Sequence, residues 1–534
     1  MSRFRAASAA FAALAMILLG GGAVNSSIRP ARAEPDHLTR SGAPASQTVD
    51  GFTLSPTKGP ANQDATATLT PPAPPTNVRF TRISAGGWHS LAIGSDGNTY
   101  AWGYNTYGQL GDGNTQNSQP VRVHTPAGVR FTQINAGTYH SLAIGTDGNT
   151  YAWGNNQHGQ LGNETGSNSN KPVRVHTPTG VTFTQINAGG EHSLAIGSDG
   201  NTYAWGDNTY GQLGDETGSN SNKPVRVHTP TGVTFTQINA GMWHSLALGS
   251  DGHTYAWGWN YYGQLGDNTT NNRGLPARVN TPTGVRFNQI NASGWHSLAL
   301  GSDGKTYAWG WSSAGELGDG DTTRHRSSTP AQVIAPTGVT FTQISTGDGQ
   351  SLAIGSNGNT YAWGDNQFGQ LGDGTPTNRG RPVLVTPPTG VTFTQISTGG
   401  WYSLAIGSDG HTYSWGDNRF GQLGDGTTND HSKPGPVLMP RYVIDGVTFD
   451  GASVTRKTVN PATGAWDMHV PTHAPGAVTV TVAYHLDGLD VNGNIANPRY
   501  QSGTVTLRYT YATPYTVSFQ LGGAPGTPPA SQYS

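Results

Sequence analysis

The 534-residue chain contains no cysteine. That excludes disulfides and thiolate metal sites, and it leaves the redox compartment open. Charge is scarce as well: Asp, Glu, Lys and Arg make up 11% of the residues, and the formal net charge is −2. Nothing here assembles a basic surface for nucleic acid, so no nucleic-acid partner is expected. After residue 33 no apolar run approaches a membrane-spanning length. Phosphate-binding loops, zinc spacings and paired-carboxylate motifs are also missing. The chain therefore reads as a non-enzyme with no catalytic residues, no metal site and no cofactor.

Glycine, by contrast, is abundant, with 77 residues, and it falls periodically. A Trp-Gly pair recurs at Trp102, Trp153, Trp205, Trp257, Trp309, Trp363 and Trp415, at intervals of 51, 52, 52, 52, 54 and 52 residues. The length varies in one place, the polar loop after Gly-Gln-Leu-Gly-Asp. A near-constant period with insertions confined to one loop is the signature of a repeat architecture. Each unit carries four β signals. In the third they are Phe183–Ile186, Ser193–Ile196, Thr202–Trp205 and Pro224–His228, with Asp199-Gly200 as a hairpin signal between the second and third. Such units bury both faces only by stacking, and a closed ring removes most edge strands. The expected fold is all-β, a seven-bladed β-propeller over residues 78–440. Pro436–Leu438 is expected to complete the blade begun by Phe80–Trp102 and so close the ring.

The frame AGxxHSLAxGxDGxTYAWGxNxxGQLGDG, read from Ala136 to Asn163, resembles the regulator of chromosome condensation repeat. The resemblance covers about two thirds of the chain in seven copies and implies the same propeller fold, although a fold does not fix an activity.

The flanks read differently. Arg3 and Arg5, the apolar run Ala6–Leu19 and Ala31-Arg32-Ala33 form an export signal over residues 1–33, with Glu34 as the mature start and no twin-arginine pair. Residues 34–49 read as a flexible linker. Gly51–Pro60 and Ala65–Thr70 (residues 50–72) resemble the first hairpin of an IPT/TIG immunoglobulin-like domain. Val447–Gly451, Ala465–Val470 and Ala477–Ala483 resemble its remainder over residues 441–512. The expectation is an immunoglobulin-like β-sandwich with the propeller inserted in it, since a ring whose ends meet suits insertion. Tyr515–Gly526 resembles the opening of an internalin-type B-repeat, which makes residues 513–534 a truncated B-repeat-like tail.

Five units place His before Ser (His89, His140, His192, His244, His296), with Gln350 and Tyr402 in the other two. Neighbours on a strand point to opposite faces, so the pair reads as structural. The Asp of GQLGD, GELGD in the fifth unit, could bind cations (Asp112, Asp215, Asp267, Asp319, Asp373, Asp425, with Asn163 in the second unit), but turn geometry explains it equally well. Asp490-Val-Asn492-Gly-Asn494 begins like a calcium loop but lacks its later ligands.

The informative positions are those that vary while the frame holds. Before the His-Ser pair stand Trp88, Tyr139, Glu191, Trp243, Trp295, Gly349 and Trp401. After Trp-Gly stand Tyr104, Asn155, Asp207, Trp259, Trp311, Asp365 and Asp417. Equivalent positions in a propeller form concentric rings, so one face should carry aromatics. Trp and Tyr dominate binding hot spots, and Trp88, Tyr139, Glu191, Trp243, Trp295, Trp401, Tyr104, Trp259 and Trp311 are the candidate partner-binding residues. A third set (Tyr107, His158, Tyr210, Tyr262, Phe368, Phe420) is expected to pack between blades.

The family resemblance implies a nucleotide-exchange role, which export contradicts because that partner is intracellular. The remaining expectation is a secreted or surface-displayed bacterial interaction or adhesion module, a monomer binding a protein or glycan ligand outside the cell. The alternative is a secreted enzyme inhibitor, because the repeats also resemble a propeller-type β-lactamase inhibitory protein.

Overall fold

The computed structural model describes residues 45–49, 51–73, 78–490 and 492–512. The expected export signal, the expected linker up to residue 44 and the expected B-repeat-like tail lie outside the described residues. Every element described here is a strand.

Residues 80–436 form seven successive four-stranded antiparallel sheets, each with its strands in chain order. In the third they are Phe183–Ala188, His192–Gly197, Thr202–Gly206 and Ser221–Arg226. The Asp-Gly hairpin forms for a local reason. Gly200 takes φ +76°, which glycine tolerates without strain. Asp199 then accepts hydrogen bonds from the Asn201 amide (3.1 Å) and the Tyr203 hydroxyl (2.7 Å). Above the turn Trp205 is fully buried, with the Phe183 ring stacked on it at 5.6 Å and 14°.

Neighbouring units are joined through these tryptophans. The Trp205 Nε1–H donates to the Gln160 carbonyl of the preceding unit at 2.8 Å. The same bond recurs around the ring, and Trp102 of the first unit donates to Gln422 of the last at 2.8 Å. Val78, Tyr100 and Trp102 share a core with Leu404, Leu423 and Val437. The ring is therefore closed, with the first strand of each unit nearest the axis.

Closure does not follow the expected exchange of strands. His431–Pro436 pairs with Thr412–Gly416 of its own unit, and the first sheet is completed by Ser118–Arg122. Each Pro-Val strand folds back on the Trp-Gly strand before it (Ala101 opposite Val121), so every unit is self-contained. The joint is held instead by packing, by the Trp102 bond, by Ser90 and Tyr402 hydroxyls 3.0 Å apart and by Gly400 N–H to Gly86 O at 3.2 Å.

The flanks form two five-stranded sheets around one core. The first runs Gln47–Val49, Phe52–Ser55, Ala65–Thr70, Trp466–Val470, Lys457–Val459. The second runs Lys58–Pro60, Ile495–Ala512, Gly476–Leu489, Met439–Phe449, Ala452–Ser453. Leu69 lies opposite Trp466. Phe52, Leu54, Leu69 and Met468 meet Val480, Val482 and Leu507 in the buried layer between the sheets. The sandwich is thus built from both sides of the ring.

Two boundaries differ from the expectation. Gln47–Val49 is a strand paired with Phe52–Ser55, because its register continues the buried alternation of that edge, so the linker ends before it. No break falls at residue 440, since Met439–Phe449 is one continuous strand that starts in the ring's core and ends in the sandwich's. Asp490 caps a hairpin turn by accepting from Asn492 N and Asn494 N, both at 2.9 Å.

The chain enters the ring at the start of an inner strand (Phe80) and leaves it at the end of an outer strand (Pro436). Both points lie at the end of the sheets opposite the connections that carry Trp88 and Tyr104. The sandwich is therefore attached across the ring from those residues.

Candidate functional site: an aromatic face

The candidate face is made by two connections in each unit, from first to second strand and from third to fourth. The Trp-Gly glycine brings them together. Gly103 takes φ +100°, and a Cβ there would stand 2.5 Å from Trp88 O. Tyr104 N–H then donates to Trp88 O at 2.9 Å, which sets the first two variable positions side by side.

The predicted residues fall into two aromatic groups rather than one even ring. In the first, Trp88 contacts Tyr139 (5.3 Å), Trp401 (5.8 Å) and Tyr104 (6.3 Å), and Tyr104 contacts Phe420 (4.8 Å). In the second, Trp243 meets Trp259 at 5.3 Å, Tyr262 meets Trp311 at 4.4 Å and Trp295 at 6.3 Å. The third set bridges adjacent units, as Tyr107 to Tyr139 (5.4 Å) and Tyr210 to Trp243 (6.2 Å) show. Most of these rings are half-buried against one another, while Trp295 is 37% and Tyr261 59% exposed. Tyr261 escaped the sequence reading. Its signal was an aromatic where the other units have Thr106, Gln157, Thr209, Ser313, Gln367 or Arg419.

Carboxylates stand beside and between the groups. On one side Glu191, whose pKa burial raises, lies 3.3 Å from His158. Beside it Asp207 accepts from Gln212 Nε2 at 2.7 Å. In the last unit Asp417 pairs with Arg419 at 2.9 Å, and the Arg419 guanidinium lies 5.0 Å over Phe368. The opposite gap holds Asp365 and Asp348, the second missed in the sequence although its equivalents are Gly, Thr or Met. Burial pushes Asp348 up to about 6 and raises Asp365, which accepts from Gln367 N at 3.2 Å and Gln367 Nε2 at 3.1 Å.

At the centre the ring narrows to a cavity of about 40 Å³ lined at the inner-strand ends mostly by glycine, alanine and threonine, with Met242, Ser293 and Asp348 among them. That is far below the several hundred Å³ of a typical small-molecule site.

The His-Ser positions form a buried girdle below this face. His89 Nε2 lies 2.9 Å from Ser141 Oγ of the next unit, and the contact repeats through His296 and Ser351. Each serine hydroxyl donates to a backbone carbonyl, as Ser141 does to Gln109 O at 2.9 Å, so the histidine Nε2–H is the donor. Burial holds these imidazoles far below their usual pKa, at about 3 for His89, His140 and His244 and about 4 for His192 and His296. A serine without a free proton acceptor, sealed from solvent, has no nucleophilic chemistry. Gln350 donates instead to Gly399 O and Tyr402 O, and Tyr402 Oη donates to His89 O at 2.6 Å, which completes the girdle.

The GQLGD aspartates anchor their own loops. Asp112 accepts from Asn105 and Asn114, and Asp373 pairs with Arg379 at 2.8 Å. Among the described residues no group of three or more His, Asp or Glu is arranged to hold a metal ion, and no helix is long and apolar enough to cross a membrane.

Residues 48–340 match the RCC1-like domain, and residues 357–406 and 409–447 match the regulator of chromosome condensation (RCC1) repeat. The chain is 32% identical over 398 residues to the ultraviolet-B receptor UVR8 of Arabidopsis thaliana, covering 73% of this chain and 88% of that one. It is 31% identical over 394 residues to the E3 ubiquitin-protein ligase HERC2 of Homo sapiens, covering 72% of this chain but 8% of HERC2. Among solved structures it is similar to Prp20p from Saccharomyces cerevisiae, with a TM-score of 0.56 at 21% identity over 74% of this chain and 94% of that one. Yeast RCC1 (Prp20) bound to Kap60 gives a TM-score of 0.55 at 20% identity, over 84% and 97%. A closed ring of Trp-Gly sheets and these matches over most of the chain lead to one assignment: the protein belongs to the RCC1 family, with its propeller fold.

Proposed function

We propose that this protein is an exported, non-enzymatic protein-interaction module, a seven-bladed propeller presented on an immunoglobulin-like sandwich at a bacterial surface or outside the cell. The observation that carries this reading is the aromatic face. Two groups of Trp and Tyr lie on the side of the ring away from the sandwich, with Trp295 and Tyr261 open to solvent. Such a patch is the usual mark of a recognition surface. The sealed His-Ser girdle and the narrow axis supply no reaction centre. Prp20p, which shares the fold, has binding properties toward Gsp1p and histones, so protein recognition is in keeping with this fold. The export-signal pattern of residues 1–33 and the IPT/TIG-like strands support the extracellular part of the reading.

The test measures binding of the chain from Glu34 to matrix proteins, glycans and β-lactamases, beside the fourfold variant Trp88→Ala, Trp243→Ala, Trp295→Ala, Trp401→Ala. A specific signal lost in the variant, with its circular dichroism unchanged, supports the reading. Retention of that signal rejects the face. A β-lactamase as the ligand turns the function from adhesion to inhibition.

A further inference from the structure

We infer that the partner of the aromatic face presents a basic side chain, Lys or Arg, which enters the notch at Gly349 beside Asp348 and Asp365. The inference rests on the reading of this face as a docking surface and names the chemistry of what docks.

The notch exists because the sixth unit departs from the repeat at consecutive residues. Where five units carry Trp or Tyr and one carries Glu, this unit has Gly349. A Cβ at that position would lie 3.3 Å from Asp365 Cβ and 3.5 Å from Trp401 Nε1, so the place where five units carry an aromatic ring is bordered here by a carboxylate and an indole. The preceding residue adds the second carboxylate. Asp348 N–H donates to Gly400 O at 3.1 Å, and a Cβ on Gly400 would stand 3.2 Å from an Asp348 carboxylate oxygen. The Asp348 side chain therefore lies along the axial mouth, where it accepts from Ser293 Oγ at 3.4 Å and from the Gly294 N–H.

Charge complementarity selects the occupant. Three sectors of the face carry carboxylates: Glu191 faces the His158 imidazole at 3.3 Å, and Asp417 pairs with the Arg419 guanidinium at 2.9 Å. Among the described residues no basic side chain pairs with Asp348 or Asp365 in the third, although burial disfavours both charges. A partner cation meets two desolvated carboxylates there and the Trp401 ring system, which also favours a cation. A second copy of the same face fits badly, since it would bring carboxylates against carboxylates while Arg419 is already paired.

The experiment selects twelve-residue peptides from a displayed random library on the full chain and measures affinities by fluorescence anisotropy. The Asp348→Asn, Asp365→Asn double variant and the fourfold Trp→Ala variant run in parallel. The expected result is enrichment of one Lys or Arg and binding at least tenfold weaker to the double variant. Changing that residue to Gln in the peptide should then weaken binding to the parent protein but leave binding to the double variant unchanged. Peptides without basic enrichment, or with equal affinity for parent and double variant, overturn the inference. If those peptides still need the four tryptophans, the docking face stands without the notch. If they bind the fourfold variant equally well, the face itself is rejected.

Discussion

At the scale of the residue, the histidine girdle makes the fold sensitive to acid. A histidine whose pKa is lowered in the native state stays neutral there, while the unfolded chain takes up its proton as pH falls through about 6.5. Its stabilising contribution is complete above 6.5 and declines until the folded pKa is reached, at about 3 for His244 and about 4 for His192. Each such group costs about 1.4 kcal/mol per pH unit in that window. Five acting together should bring acid unfolding near pH 5, within the range where most proteins are still stable. His244→Gln, which copies Gln350 of the sixth unit, should make the loss of stability between pH 6.5 and 5 less steep. Urea titrations at several pH values would show it, and an unchanged slope would disprove the account. The structural nature of His-Ser was legible in the sequence because strand neighbours face apart. Its partner was not, since His89 bonds to Ser141 of the next unit and only a closed ring brings them together.

At the scale of the element, the tryptophans of the third strands do two jobs, filling the core and bonding the preceding unit. Trp205→Phe keeps most of the volume and loses the bond to Gln160 O, a carbonyl that still accepts from Ser193 Oγ at 2.9 Å. It should cost about 1–2 kcal/mol, against about 3–5 kcal/mol for Trp205→Ala, which opens a cavity as well. Urea midpoints of the two variants would separate the terms, and equal losses would show that packing contributes nothing beyond the bond. The four strands of a unit were readable from alternation and from Asp199-Gly200. Which way the fourth strand pairs was not. Pro120-Val121 is flanked by turn residues on both sides, and nothing local distinguishes folding back on Trp102 from reaching forward to Phe131. The aromatic positions were readable as a set, yet their split into two groups follows from Glu191 and Gly349, whose effect depends on what stands in the neighbouring units.

For the whole molecule, the sandwich depends on strands lying some 400 residues apart in sequence, such as Thr68 and Asp467, whose side chains meet at 2.6 Å. Removing residues 45–72 takes Phe52, Leu54 and Leu69 from the shared core, each almost fully buried. At about 1.5–3 kcal/mol for each large apolar side chain, the loss approaches the whole stability of a typical domain. The truncated chain should keep a folded ring, because Trp102, Leu423 and Val437 remain. Its segment 441–512 should become open to proteolysis. Protection of that segment, or collapse of the ring with it, would contradict the separation drawn here. The Ala65–Thr70 strand was visible as a hairpin, and its central position between Phe52–Ser55 and Trp466–Val470 is what makes the truncation severe.

That arrangement also decides how the molecule meets mechanical force. Thr57 N–H donates to Ala45 O and Arg508 N–H to Gln47 Oε1, while Lys58–Pro60 runs parallel to the end of Ile495–Ala512. Tension entering at residue 45 and leaving at residue 512 is taken by these sandwich strands, and the ring between them hangs outside the stretched path. The sandwich then works as a latch that must shear before any ring unit feels the pull. The roughly 360 residues of the ring become a reserve of slack, released only after the latch gives way, so the aromatic face keeps its shape under loads that already strain its support.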